Sequence, residues 1–261
     1  MIRNTFCHIQ RIGTVTETKL WNSGIHDWDQ FNQSPEIPLS KKKVASILPV
    51  LEESSKQLDL GNPHYFIQHL PVNQYWRLFP HFRGAIAYVD IETTGLENWC
   101  NEITTIALYD GQTVYTYVNG QNLNDFMRDI KRYKIIVTYN GRCFDVPFIK
   151  QYFGIQLNHV HIDLRYVLKS LGLSGGLKGC ERQLGIDRGD LSDIDGYYAV
   201  ILWQKYKRTG NENTLKMLLD YNSADARNLE TLLVIAYNMK LKDTPFYDTN
   251  KIRSFKTNQL Y

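Results

Sequence analysis

The sequence predicts an α/β fold: a mixed sheet flanked by helices, with a small helical domain ahead of it. Three observations carry that expectation. The apolar run Ala85-Ile86-Ala87-Tyr88-Val89 has strand composition and ends in Asp90-Ile91-Glu92-Thr93-Thr94-Gly95. Two more strand-like runs, 103–109 and 113–118, flank Asp110-Gly111, a strong short-range signal for a hairpin. Beyond residue 122, helical spacing alternates with one further buried run, 135–139.

The N-terminal segment, residues 1–75, opens the chain. Thr14 and Glu17 have the spacing of a capping box, so a helix is expected to start there and to present backbone amides that attract a phosphate. The surrounding residues resemble half of a helix-hairpin-helix, with Gln10-Arg11 standing where that module has Pro-Gly. A small helical bundle packed by Leu20, Trp21, Ile25, Trp28 and Phe31 accounts for the same residues, and both readings stand. Lys41-Lys42-Lys43 reads as a solvated helix start, and residues 62–71 as a connection. The cluster Tyr75-Trp76-Arg77-Leu78-Phe79 reads as packing before the first strand.

Residues 76–241 form the second expected domain. In its first strand, side chains two apart share a face, so Asp90 and Glu92 project together while Ile91 turns into the core. Two carboxylates on one face repel unless a cation lies between them, and oxygen-only ligation points to Mg²⁺ or Mn²⁺ rather than zinc. The pair therefore reads as half of a metal site. The hairpin adds two antiparallel strands to make a three-stranded meander. Leu123, Phe126, Met127 and Ile130 then predict a helix over 122–132.

After the strand at 135–139, Asn140-Gly141 makes a turn, and Phe144, Val146, Phe148 and Ile149 anchor the next helix. Asp145 stands at its start, either as a helix N-terminal acid or as a third carboxylate of the site. In the last long helical stretch Tyr221 and Asp225 lie one turn apart. The stripe Leu229, Leu232, Leu233 and Ala236 draws Asp225 toward the core, where a buried carboxylate needs a charge partner such as a metal shared with Asp90. His159, His161 and Asp163 share a strand face but are poorly placed to converge on a tetrahedral zinc, and Asp163 reads instead as a cleft-edge or capping residue.

Composition adds exclusions. With 43% hydrophobic residues among 261, the chain can bury a full core. Its net charge of +3 does not by itself argue for nucleic-acid binding. Cys7, Cys100, Cys143 and Cys180 are scattered without a Cys-x-x-Cys, so neither a disulfide framework nor a cysteine zinc site is expected. No stretch approaches the ~20 apolar residues of a membrane span, and the chain reads as soluble and cytoplasmic. Residues 242–261 form a C-terminal tail, of which the stretch from Lys251 to Tyr261 carries Lys251, Arg253 and Lys256 with few large apolar residues and reads as frayed.

Taken together, Asp90-Ile91-Glu92-Thr93-Thr94-Gly95, the run from Tyr139-Asn140 through Phe144-Asp145 to Pro147-Phe148-Ile149, and Tyr221 with Asp225 resemble the motifs of the DEDD (DnaQ-like) exonuclease superfamily in its tyrosine-containing branch. The same three motifs, in the same order, mark stand-alone ribonuclease H-like exonucleases and the proofreading domains of family B DNA polymerases. The resemblance implies a ribonuclease H-like fold, with Asp90, Glu92, Asp145 and Asp225 holding two divalent ions, Mg²⁺ or Mn²⁺. It further implies that Tyr221 orients the attacking water, that Thr93, Thr94 and Leu96 contact the terminal nucleotide, and that Asn140 contacts backbone or sugar. The expected activity is 3′–5′ hydrolysis of phosphodiester bonds at single-stranded DNA or RNA 3′ ends, with DNA favoured. Exoribonuclease activity of the same chemistry and a non-catalytic nucleic-acid-binding module are the alternatives.

Overall fold

The computed structural model describes residues 1–97, 100–189 and 196–252. They fall into two compact units, Met1–Arg83 with the segment from Tyr237 onward, and Gly84–Ala236.

The first unit is helical: α1 (Thr14–Asn22), α2 (Trp28–Gln33), α3 (Lys41–Asp59), α4 (Pro63–Ile67) and α5 (Phe79–Phe82). Local chemistry sets their starts. Asp27 caps α2 by accepting from the Gln30 amide, Ser40 caps α3, and Asn62 caps α4 with Pro63 in its first turn. Phe6, Leu20, Trp28, Phe31, Leu51 and Phe66 form the core.

The capping box expected at Thr14 does not form. Gly13 is the N-cap and makes no side-chain bond. Glu17 is instead fully buried, accepting from the Thr5 hydroxyl at 2.6 Å and the Phe6 amide at 2.7 Å, and it pairs with buried Arg77 at 2.8 Å. Once out of water, this carboxylate gains more from a guanidinium than from one exposed helix amide.

In the second unit β1 (Ile86–Thr93) is the central strand, followed by β2 (Ile103–Tyr109) and β3 (Val114–Val118). Then come α6 (Phe126–Asp129), β4 (Ile135–Thr138), α7 (Asp145–Phe153), β5 (Val160–Asp163), α8 (Leu164–Lys169) and α9 (Gly176–Gln183). The helices α10 (Gly196–Thr209) and α11 (Glu212–Leu241) follow, and the short α12 (Tyr247–Asn250) belongs to the first unit.

The five-stranded sheet has the order β3-β2-β1-β4-β5. Strands β1, β2 and β3 are the expected antiparallel meander, while β4 and β5 run parallel to β1. The fold is therefore a ribonuclease H-like mixed sheet flanked by helices, with a helical N-terminal region. At the hairpin, Asp110 accepts from the Gln112 and Thr113 amides, and Gly111 takes the positive φ of 94° that the turn requires.

The helix expected over 122–132 is broken. It is a 3-10 turn at Leu123–Asp125, then α6, then a second 3-10 turn at Ile130–Arg132. Asn122 is committed to β3, accepting from the Val118 amide and donating to the Thr116 carbonyl, which ties the segment's start to the strand. Leu123, Phe126 and Ile130 are still buried, because apolar spacing of three or four serves either helix type.

Alternation along β1 positions the site. Ala87, Val89 and Ile91 pack with Phe126, Ile130, Phe148 and Ile149 in one core layer. Opposite, Val118 packs with Ala199, Leu202, Trp203, Leu218 and Tyr221. Asp90 and Glu92 have the other parity and turn toward α11. Among the described residues no helix is long and apolar enough to cross a membrane. The tail read as frayed lies, from residue 253 on, outside the described residues.

Candidate functional site

Asp90 and Glu92 from β1 and Asp225 from α11 each offer an oxygen, and these atoms lie within 4.8 Å of one another. Glu92 and Asp225 are buried and Asp90 is half-buried. Asp145, the first residue of α7, is buried beside them and accepts from its own amide and from that of Ile91. It is thus both an acid at a helix start and a carboxylate close enough to act on Asp90, Glu92 and Asp225.

The four acids have raised pKa values, and burial is the largest cause each time. Asp90 and Glu92 are pushed well above the carboxylate range, first by desolvation and then by Asp225 and the other acids. Asp145 rises to about 7, although two backbone amides favour its charged form. Asp225 rises to about 6 despite the guanidinium of Arg188. Crowded like charge in a donor set made only of oxygen fits a hard divalent cation. Softer transition metals would call for sulfur or imidazole ligands.

Several supporting residues were not singled out in the sequence. Asn222, fully buried, donates to Asp90 Oδ2 at 2.7 Å and accepts from the Thr105 hydroxyl at 3.0 Å. Its one signal in the sequence is a lone amide four residues from both Leu218 and Ala226, on a stripe that is otherwise apolar. Glu181 of α9 and Arg188 just beyond it form a buried pair that reaches Asp225. Lys178 also approaches the cluster: its charge opposes the rise at Glu92, and its Nζ lies 4.9 Å from the centre of the Tyr221 ring. The pairings of Arg188 leave no periodic trace in the sequence.

Tyr221 is buried and bonds Asp225 through its hydroxyl. Burial, then the charges of Asp225, Glu92 and Asp90, push its pKa far up, so the phenol stays protonated. The residues expected to touch a nucleotide are more dispersed. Thr93 is buried and donates to the Gly95 carbonyl, while Thr94 bonds Asn101 and the Glu102 amide. Leu96 is 85% exposed. Asn140 takes a positive φ of 62° and accepts from Arg165 at 2.5 Å, on the wall of a groove of about 320 Å³ that Tyr139 and Lys169 also line.

Asp163 caps α8 and accepts from the Asn140, Arg142 and Arg165 amides, which fixes the turn ahead of Asp145. His161 bonds Thr138 and His159 bonds the Ile130 carbonyl, so neither imidazole joins Asp163 around a common point.

Residues 87–237, more than half of the chain, match the family model described as RNase_H superfamily. The chain belongs to the RNase H superfamily. The matched span takes in β1 with Asp90 and Glu92, α7 with Asp145, and α11 through Tyr221 and Asp225. The structure of the family B DNA polymerase from the hyperthermophilic archaeon Pyrobaculum calidifontis is similar over 62% of this chain and 26% of that one, at 15% identity and a TM-score of 0.46. This superfamily member thus spans about a quarter of that polymerase chain. No curated protein matches the sequence.

Proposed function

We propose that this RNase H superfamily member is a metal-dependent 3′–5′ exonuclease of the tyrosine-containing DEDD branch, hydrolysing phosphodiester bonds at single-stranded nucleic-acid ends, with DNA favoured. One observation carries the reading: oxygens of the neighbouring Asp90 and Glu92 and of Asp225, far along the chain, meet within 4.8 Å.

Asp90, Glu92, Asp145 and Asp225 would hold the Mg²⁺ or Mn²⁺, two ions in the full reading. Bound there, the metal supplies the positive charge that admits a phosphodiester among carboxylates, and it acidifies water. Tyr221, kept protonated by its surroundings, serves as a hydrogen-bond partner that orients the attacking water, not as a base. Thr93, Thr94, Leu96 and Asn140 are assigned to the terminal nucleotide. The groove with Arg165 and Lys169 provides cations for the phosphates behind it. In this reading the helical residues 1–75 help to hold the strand, and residues 76–241 carry the chemistry.

End-labelled single-stranded DNA and RNA incubated with Mg²⁺ or Mn²⁺ test the assignment. Wild type is expected to give a ladder of shortening products, which Asp90→Ala and Asp225→Ala abolish without unfolding the protein. Tyr221→Phe should slow the ladder and spare metal binding. A ladder on RNA alone would make the enzyme an exoribonuclease. Retained oligonucleotide binding with neither ladder nor metal binding would leave a non-catalytic module.

A further inference from the structure

Arg188 is a buried cation whose guanidinium pairs with two carboxylates. Nε and Nη2 fork onto the Glu181 carboxylate at 2.5 and 2.7 Å, and Nη1 pairs with Asp225 Oδ1. The side chain is 5% exposed, against 1% for Glu181. Glu181 also accepts from Asn228 at 2.9 Å. Asn228 and Asp225 lie three apart on α11, so the path Asn228–Glu181–Arg188–Asp225 leaves that helix and returns to it one turn away. This is a closed bracket, and a forked pair of this kind resists rotation.

We propose that Arg188 is a positioning residue for the metal centre. By pairing with Asp225 Oδ1 it fixes the orientation of that carboxylate beside Asp90 and Glu92, while Glu181 aims Arg188. The proposal rests on reading the carboxylates as a metal centre. Two effects of the guanidinium oppose each other. As a bare positive charge near the cluster it would repel a divalent cation, so its removal would tighten binding. As an orienting partner of a ligand it strengthens binding, and loss of such partners typically weakens metal affinity about 10–100-fold. The bidentate clamp by Glu181 decides for orientation, because it fixes the direction of Nη1 and not merely its charge.

The test is a calorimetric Mn²⁺ titration of the full chain. The variants are Arg188→Lys, Glu181→Gln and the pair Arg188→Met with Glu181→Met. The pair removes both buried charges, so it keeps the test sound should a lone Glu181 charge unfold the single Arg188→Met protein. The expected result is Mn²⁺ affinity about 10–100-fold weaker in Arg188→Lys and in the pair, with an unchanged circular dichroism spectrum and a smaller loss in Glu181→Gln. The Mn²⁺ concentration giving half-maximal hydrolysis should rise by a similar factor, while the rate at saturating Mn²⁺ changes less. Unchanged or tighter Mn²⁺ binding in the folded variants would overturn the proposal. A wild type that binds no Mn²⁺ would instead remove the metal-centre reading, and the proposal with it.

Discussion

Asn222 holds Asp90 by two contacts, donating to its carboxylate at 2.7 Å and to its backbone carbonyl at 3.2 Å. The same amide accepts from Thr105 on β2 at 3.0 Å, so one side chain of α11 latches the helix to two strands. Asn222→Ala would leave the Thr105 hydroxyl and the Asp90 carboxylate without this partner. The expected cost is about 1–3 kcal/mol in urea unfolding, with slower hydrolysis at saturating metal.

Asp90→Asn removes one charge from the crowded cluster while keeping an oxygen for Asn222. The metal-free protein should therefore melt higher, by roughly 2–4 °C for each kcal/mol of repulsion relieved. The same variant should lose its metal-induced rise in melting temperature and its hydrolysis. A metal-free melting temperature at or below that of wild type would show that the acids do not burden the fold.

The raised carboxylates also set the pH response. Asp145 at about 7 and Asp225 at about 6 lie above the ~3.9 of an unfolded aspartate, so the folded chain binds more protons across that interval. Their contribution to stability is complete below about pH 4 and is lost as pH rises through 6 and 7. In chelator, thermal stability should fall from about pH 5 to about pH 8. Saturating Mn²⁺ should flatten or reverse the trend, because the metal binds the deprotonated form. Thermal scans in matched buffers decide it, and a metal-free stability that climbs with pH would contradict the assignment.

Gly141 is required by contact rather than by backbone angle. A Cβ there would stand 2.2 Å from the Thr138 hydroxyl, on a stiff β-branched side chain that also bonds His161. Gly141→Ala should cost about 1–3 kcal/mol in denaturant unfolding. Activity should fall as well, since the turn from Asn140 leads into Asp145. Equal stability and activity would mean that the turn relaxes freely.

What the sequence made legible were relations within one element. The parity of Asp90 and Glu92, the Asp110-Gly111 hairpin and the one-turn spacing of Tyr221 and Asp225 all follow from fixed periods of strand and helix. Relations between elements were legible only where a motif carried them, as in the meander and the meeting of Asp90 with Asp225. Arg188 meets Glu181 and Asp225 through the packing of separate segments, and nothing in local spacing encodes that. Glu17 shows the same limit from the other side: its spacing from Thr14 invited a cap, and a distant Arg77 outbid it. The break in the helix over 122–132 was hidden because the apolar positions suit both helix types.

The 30-residue α11 carries Tyr221, Asn222, Asp225 and Asn228 on one uninterrupted rod. Each residue added to a helix turns everything beyond it by about 100°. A single insertion between Asn222 and Asp225 would therefore act like a misphased cam. The latch to Asp90 would stay in place, while the carboxylate swung out of line with its partners. An extra residue at the Gly111 turn would leave that phasing untouched, so tolerance to length change should differ sharply between these two places in one chain.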